Sequence, residues 1–198
     1  MGQVIKIYEA LLNRKEKVCH RLEILEIVNE YNKTLGKISP QNALKYLSRH
    51  NYIRRIFLQF YYINSSDEKE RGFCNYENKE ILFIVLNKSR IKWYVGLNFA
   101  LYSLGKTWQT PNTLTIINNK ISGRKKILGM SVIFRKIKEH LMFGLKTGKT
   151  KNGVPYFHSN LAKTYLDLAY FKETNKLTRV KGTEEYLRKY PKWLSRLT

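Results

Sequence analysis

The sequence predicts an α+β fold in two parts, and three observations carry that expectation. Three amphipathic helical segments open the chain, a β-rich run follows them, and beyond a polar break helical and strand-like patterns alternate to the end.

The first helix is expected from about Val4 to Arg14, where Ile5, Tyr8, Leu11 and Leu12 recur at spacings that share a helical face. A second begins near His20. It carries Leu22, Leu25, Ile27 and Val28 on its apolar side, and Gly36 is its expected C-cap. Ser39 and Pro40 open the third as N-cap and first helical residue, and it continues to His50. After Asn51 the period becomes that of a strand, because Ile53 to Ile63 is rich in β-branched and aromatic residues. Three helices and then a β segment is the order of a winged helix-turn-helix, assigned here to residues 1–66. The polar stretch Asn64 to Gly72 is expected to be a wing loop or an interdomain linker.

Residues 67–198 are expected to form a mixed α+β domain. Helices are predicted over Asn78–Arg90, Tyr94–Leu104 and Asn160–Phe171, and strands over Thr113–Ile117, Ser131–Ile137 and Leu141–Leu145. The tail from Thr183 to Leu197 is amphipathic and is predicted helical.

Composition bounds the function. Apolar residues make up 43% of the 198, enough for a packed core. Lys and Arg number 37 against 15 Asp and Glu, giving a net charge of +22. That excess exceeds what solubility needs and points to a polyanionic partner. Cys19 and Cys74 make no disulfide framework, no signal peptide opens the chain, and the longest apolar run, Ile81 to Leu86, cannot cross a bilayer. The expected compartment is the cytoplasm, with no membrane contact.

The third helix carries the sharpest functional signal. On a helical wheel Pro40, Ala43, Leu44 and Leu47 fall on one side, and Asn42, Lys45, Tyr46 and Arg49 on the other. Residues 39–63 contain no acid. Arg, Lys and Asn are the side chains that read base edges in the major groove. Gln41, Asn42, Lys45, Tyr46 and Arg49 are therefore candidate contacts to double-stranded DNA, with Arg54 and Arg55 on backbone phosphates. A second basic surface is expected between Lys106 and Lys151, where eleven basic residues, among them Arg124, Lys125, Lys126, Arg135, Lys136 and Lys138, face Glu139 alone.

Enzymatic readings fare poorly. His20, His50, His140 and His158 lack ligand partners at metal-binding spacing. Asp67 with Glu77-Asn78-Lys79 fits a nuclease pattern only formally, since it lies in a loop-like stretch. Gly144 to Thr150 has a Gly-Lys-Thr, but the glycine before it is one position too close for a phosphate loop. No catalytic residue, metal or cofactor is expected.

Two segments resemble a known family. Trp93-Tyr94-Val95-Gly96-Leu97-Asn98-Phe99-Ala100-Leu101-Tyr102-Ser103-Leu104-Gly105 follows the winged-helix order, and Ser159-Asn160-Leu161-Ala162-Lys163-Thr164-Tyr165-Leu166-Asp167-Leu168-Ala169-Tyr170 comes later. Together they resemble AbiEi-type antitoxins, over roughly residues 4–175. The resemblance implies an N-terminal domain that represses its own operon. It also implies a C-terminal domain that counters a nucleotidyltransferase toxin in a type IV toxin–antitoxin, abortive-infection system. It singles out Lys163, Thr164 and Asp167, for which an ordinary i,i+4 pair is an equal alternative. The basic middle departs from the family pattern and leaves open whether it serves DNA, the toxin or the toxin's RNA substrate. A stand-alone regulator of a mobile element and a DNA nuclease are the other readings.

Overall fold

The computed structural model describes residues 2–35 and 38–197, with only the backbone of Thr34 and Leu35. The fold is α+β, and the chain divides into two compact units, Met1–Val85 and Leu86–Thr198.

In the first unit the order is α1 (Gly2–Leu12), β1 (Val18–His20), α2 (Arg21–Leu35), α3 (Pro40–Arg49), β2 (Ile53–Arg55) and β3 (Phe60–Ile63). The strands form an antiparallel sheet of order β1-β3-β2. This is a winged-helix-like arrangement. Its core joins Ile7 and Leu11, Ile24 and Val28, Leu44 and Leu47, and Ile53 and Ile63. The buried face of α1 is Val4, Ile7, Tyr8 and Leu11, so Ile5 stands outside it; on α2, Leu22 is likewise exposed. Tyr8, Leu11 and Val28 are buried as expected, while Ile5 and Leu22 are extra apolar residues beside a buried stripe that also takes in Val4, Ile7 and Ile24. The expected Gly36 cap lies outside the described residues.

Two differences concern the polar break. The run from Ile53 to Ile63 is a hairpin, closed by a short turn in which Leu58 and Gln59 take positive φ. That turn is the wing. The Asn64–Gly72 stretch is instead mostly helix, α4 (Ser66–Arg71), with a capping box in which Ser65 and Glu68 satisfy each other's backbone N–H groups. Its buried Glu68 binds back onto β3, so the first unit continues past the expected boundary at residue 66. A further helix, α5 (Asn78–Lys88), runs through the division.

The second unit holds a mixed six-stranded sheet of order β6-β7-β5-β4-β9-β8. The strands are β4 (Trp93–Val95), β5 (Thr113–Asn118), β6 (Gly123–Ile127), β7 (Met130–Lys136), β8 (Leu145–Lys149) and β9 (Pro155–Ser159). The pairs β4/β9 and β5/β7 are parallel and the rest antiparallel. The helices α6 (Leu97–Ser103) and α7 (Leu161–Tyr170) share a core with Tyr94 and Ile117.

The helix predicted over Tyr94–Leu104 is a strand and a shorter helix. Gly96 marks the switch: its backbone is extended, and a Cβ there would lie 2.4 Å from Ile117 Cδ1. The strand predicted over Leu141–Leu145 begins only at Leu145, after a 3-10 turn at Glu139–Leu141. The tail is broken by Pro191 into α8 (Thr183–Leu187) and a 3-10 turn over Lys192–Arg196. Among the described residues no helix is long and apolar enough to cross a membrane.

Candidate nucleic-acid interface

The outward face of α3 is set by its anchors. Before it, the Asn32 side chain pairs with both backbone groups of Ile38, accepting from the N–H at 2.8 Å and donating to the carbonyl at 2.9 Å. Ser39 occupies the N-cap position but its hydroxyl donates to Gln41 instead, and Pro40 supplies the first turn. After the helix, Asn51 takes φ +55, and its carbonyl accepts from the buried Asn64 amide at 2.7 Å. Tyr8 donates to the Asn64 carbonyl at 2.7 Å, which ties α1 to the same point. Burial raises the Tyr8 pKa, keeping the phenol a donor.

With both ends fixed, Ala43, Leu44 and Leu47 are buried, and Gln41, Asn42, Lys45, Ser48 and Arg49 are exposed along one side. Ser48 is the member of this row that wheel reasoning passed over. Tyr46 is half-buried, with its ring centroid 4.2 Å from that of His50, so its apolar body serves the core margin. No acid interrupts the row.

The two wing arginines are not brought together. Successive strand residues project to opposite faces, and directly paired residues share one. Arg55 shares a face with Ile53, Tyr61, Cys19 and Ile63, the side that packs on the helices. Arg54 shares the other face with Tyr62, whose hydroxyl donates to Glu68 of α4 at 2.5 Å. Arg55 therefore lies on the helix-packed side of the hairpin, and Arg54 on the side that meets α4.

Five of the eleven basic residues of the 106–151 segment fall at sheet edges. Arg124, Lys125 and Lys126 are exposed on β6, and Lys146 and Lys149 on β8, the two outermost strands. Charge at an edge strand blocks pairing with other chains, which accounts for part of this excess. Arg135 is different. Its guanidinium pairs with Glu173 and lies 5.7 Å from the centroid of the Phe171 ring, while its buried Nε has no hydrogen-bond partner.

Lys163 and Asp167 form the i,i+4 pair that their spacing allows, and with Thr164 they are buried rather than set on the surface. Asp167 accepts from Tyr94 at 2.8 Å, from Tyr190 at 2.7 Å and from Lys163. Lys163 also donates to the Tyr190 hydroxyl at 2.6 Å and sits among the rings of Tyr94, Phe143 and Tyr190. Thr164 is hydrogen-bonded to Ser159 at 2.7 Å. Burial holds the Lys163 ammonium below the usual lysine range, against the opposing pull of Asp167. Burial and the Asp167 charge raise both tyrosines. This is an enclosed polar network that welds α7 to β4 and the tail.

The two acids of the nuclease pattern are each held in an ion pair of their own. Asp67 pairs with Arg71 on α4 at 2.9 Å, and Glu77 pairs with Lys79 at 2.8 Å. No cluster of three metal-ligating side chains occurs among the described residues. Leu145 to Lys149, inside the rejected phosphate-loop segment, is β8. No protein-family model matches the chain, and no curated protein is similar to it.

Proposed function

We propose that the chain is a DNA-binding antitoxin and transcriptional autorepressor of a type IV toxin–antitoxin operon, without catalytic activity of its own. One observation carries the DNA-binding half of this reading: a winged-helix-like order whose third helix presents Gln41, Asn42, Lys45 and Arg49 on an exposed, acid-free face. Arg and Lys on such a face match guanine O6 and N7, and Asn and Gln match adenine N6 and N7. Arg55 would then meet the phosphate backbone beside the groove. The antitoxin half rests on the resemblance to AbiEi-type antitoxins, with a nucleotidyltransferase toxin or its RNA substrate as the partner of the second unit.

A mobility-shift titration on the chain's own upstream DNA, against a scrambled duplex and at two salt concentrations, tests the first half. Tighter binding to upstream DNA that survives the higher salt supports a sequence-reading repressor; equal, steeply salt-sensitive binding to both refutes it. Arg49→Ala is expected to cost roughly 1–3 kcal/mol and to relax preference at one base. Co-expression with a nucleotidyltransferase toxin, where one is encoded in the same operon, tests the second half, with restored growth as the expected outcome. A stand-alone regulator of a mobile element is the second reading. It is favoured by the burial of Lys163, Thr164 and Asp167, which leaves the antitoxin-like motif no surface of its own.

A further inference from the structure

A line of depressions runs along one face of the second unit's sheet. The helices α6 and α7 cover this face at Ile117. Register places Thr113, Thr115, Ile133, Arg135, Arg124 and Lys126 on the same face farther out, toward the β6 edge. The first depression, of about 440 Å³, is walled by Asn98, Gln109 and Asn112 and floored by Thr115, Ile133 and Arg135. The second, about 410 Å³, shares Ile133 and Arg135 with it and adds Arg124 and Phe171. The third, about 350 Å³, joins the second at Lys136 and adds Lys138 and Tyr170. From Ile133 to Lys138 the path spans roughly 17 Å of extended chain, room for about three nucleotides.

Three features select the ligand. Aromatic and cationic side chains meet along the path: Arg135 lies over Phe171 in the second depression, and Tyr170 stands with Lys136 and Lys138 in the third. Trp108, 92% exposed, falls in the chain between Thr107 and Gln109, which both line the first depression. The two acids on the path, Glu173 and Glu139, are already paired with Arg135 and Lys92. Stacking platforms beside a cationic groove are how proteins hold unpaired bases while tracking their phosphates. Amides at the first depression supply both donors and acceptors for a base edge. A neutral sugar would also stack on an indole, but it makes no use of the arginines and lysines.

We infer that this face binds single-stranded nucleic acid, with one unpaired base at Trp108 and the following phosphates along Arg124 and Lys126. The site is separate from α3 and goes beyond duplex recognition.

The test is fluorescence anisotropy of the full chain with a labelled eight-nucleotide single strand of mixed sequence, as RNA and as DNA, beside a duplex. Trp108→Ala is expected to weaken single-strand binding by roughly tenfold, the worth of one base stack, with Trp108→Phe recovering most of it. Arg124→Gln with Lys126→Gln should flatten the salt slope by about 1.4, two phosphate contacts on a single strand. All these side chains are exposed, so circular dichroism should be unchanged. Tighter binding of the RNA strand would assign recognition of the 2′-hydroxyl, and equal binding a backbone-and-base mode; both support the site. The inference is overturned if Trp108→Ala changes affinity less than twofold, or if Lys45→Ala with Arg49→Ala abolishes single-strand binding along with duplex binding. Absence of single-strand binding at low salt overturns it too, and turns the face toward an acidic protein.

Discussion

Replacing Glu68 by Gln should loosen the hairpin without touching any proposed DNA contact. The Glu68 carboxylate is buried and collects hydrogen bonds from Lys17 at 2.6 Å, Tyr62 at 2.5 Å, the Ser65 and Asn75 backbone N–H groups at 2.8 Å each, and the Ser65 hydroxyl at 3.1 Å. Burial alone would raise its pKa. The donors outweigh burial and lower it from the ordinary 4.5 to about 2. At about 1.4 kcal/mol per tenfold change in proton affinity, that difference corresponds to roughly 3 kcal/mol of stability held by the ionised form. The folded pKa is depressed, so this contribution is complete above about pH 4.5 and is lost as pH falls toward 2. The glutamine keeps the shape but brings an N–H₂ toward donors, so it should forfeit most of that stability already at neutral pH. Trp93, Trp108 and Trp193 all lie in the second unit, so tryptophan fluorescence would miss the change. Amide hydrogen exchange on β3, followed from pH 7 to 3, reads it directly. In the wild type, protection at Tyr61 to Ile63 should fall below pH 4.5; in Glu68→Gln it should start lower and change little with pH. Equal protection in the two proteins at neutral pH would refute the reasoning.

The second unit offers sharper perturbations. Asp167→Ala strands the Lys163 ammonium and two tyrosine hydroxyls in the core, and should destabilise this unit by about 3–5 kcal/mol in urea melts followed by tryptophan fluorescence. Converting Lys163 to Met as well should recover part of the loss, because the unpaired charge is gone; a double variant no more stable than Asp167→Ala alone would contradict this. Gly144→Ala should cost about 2–4 kcal/mol by the same melts, since Gly144 holds φ +64 and a Cβ would lie 2.9 Å from Tyr186 Cε2. A loss under 0.5 kcal/mol, on the scale of ordinary surface changes, would show that the surrounding rings give way freely.

What could be read from the sequence follows from how locally each feature is determined. The exposed row of α3 was legible because Ala43, Leu44 and Leu47 mark the buried side without ambiguity. The strand cores of β5 and β7 were legible for the same reason, through their β-branched residues. Trp93 to Val95 was not, because three consecutive buried residues fit a buried helix and a buried strand equally well. The strand β6 left no alternation to find, since Gly123 to Lys126 is exposed throughout at the sheet edge. The wing was hidden because positive φ falls on Leu58 and Gln59, residues that do not advertise a turn. The opposite facing of Arg54 and Arg55 followed from strand alternation, but only the hairpin register shows which face each one joins. Trp108 carried a signal that was overlooked: an indole in the polar run Lys106-Thr107-Trp108-Gln109-Thr110-Pro111 has no core to enter.

The burial of Lys163 and Asp167 changes what the antitoxin-like motif means. A pattern of residues can mark either a surface that meets a partner or an interior that specifies a packing. Here the motif residues have 0% exposure, and each bonds within the core or to the helix cap. Isolated buried ion pairs seldom add stability over an apolar pair of equal volume, but they restrict the packings a core can adopt. The cluster around Asp167 joins groups from β4, α7 and the chain segment after α8, with Tyr94 73 positions before Asp167 and Tyr190 23 after it. A motif of this kind speaks for the fold of the unit and is silent on its partner. Chains could therefore share Lys163, Thr164 and Asp167 and still differ in what they bind, with the difference carried by exposed groups such as Trp108, Arg124 and Lys126. The proposed toxin neutralisation and single-strand binding should accordingly respond to substitutions on that outer face at constant stability, whereas changes at Asp167 should lower both only in proportion to the fraction of the unit that unfolds.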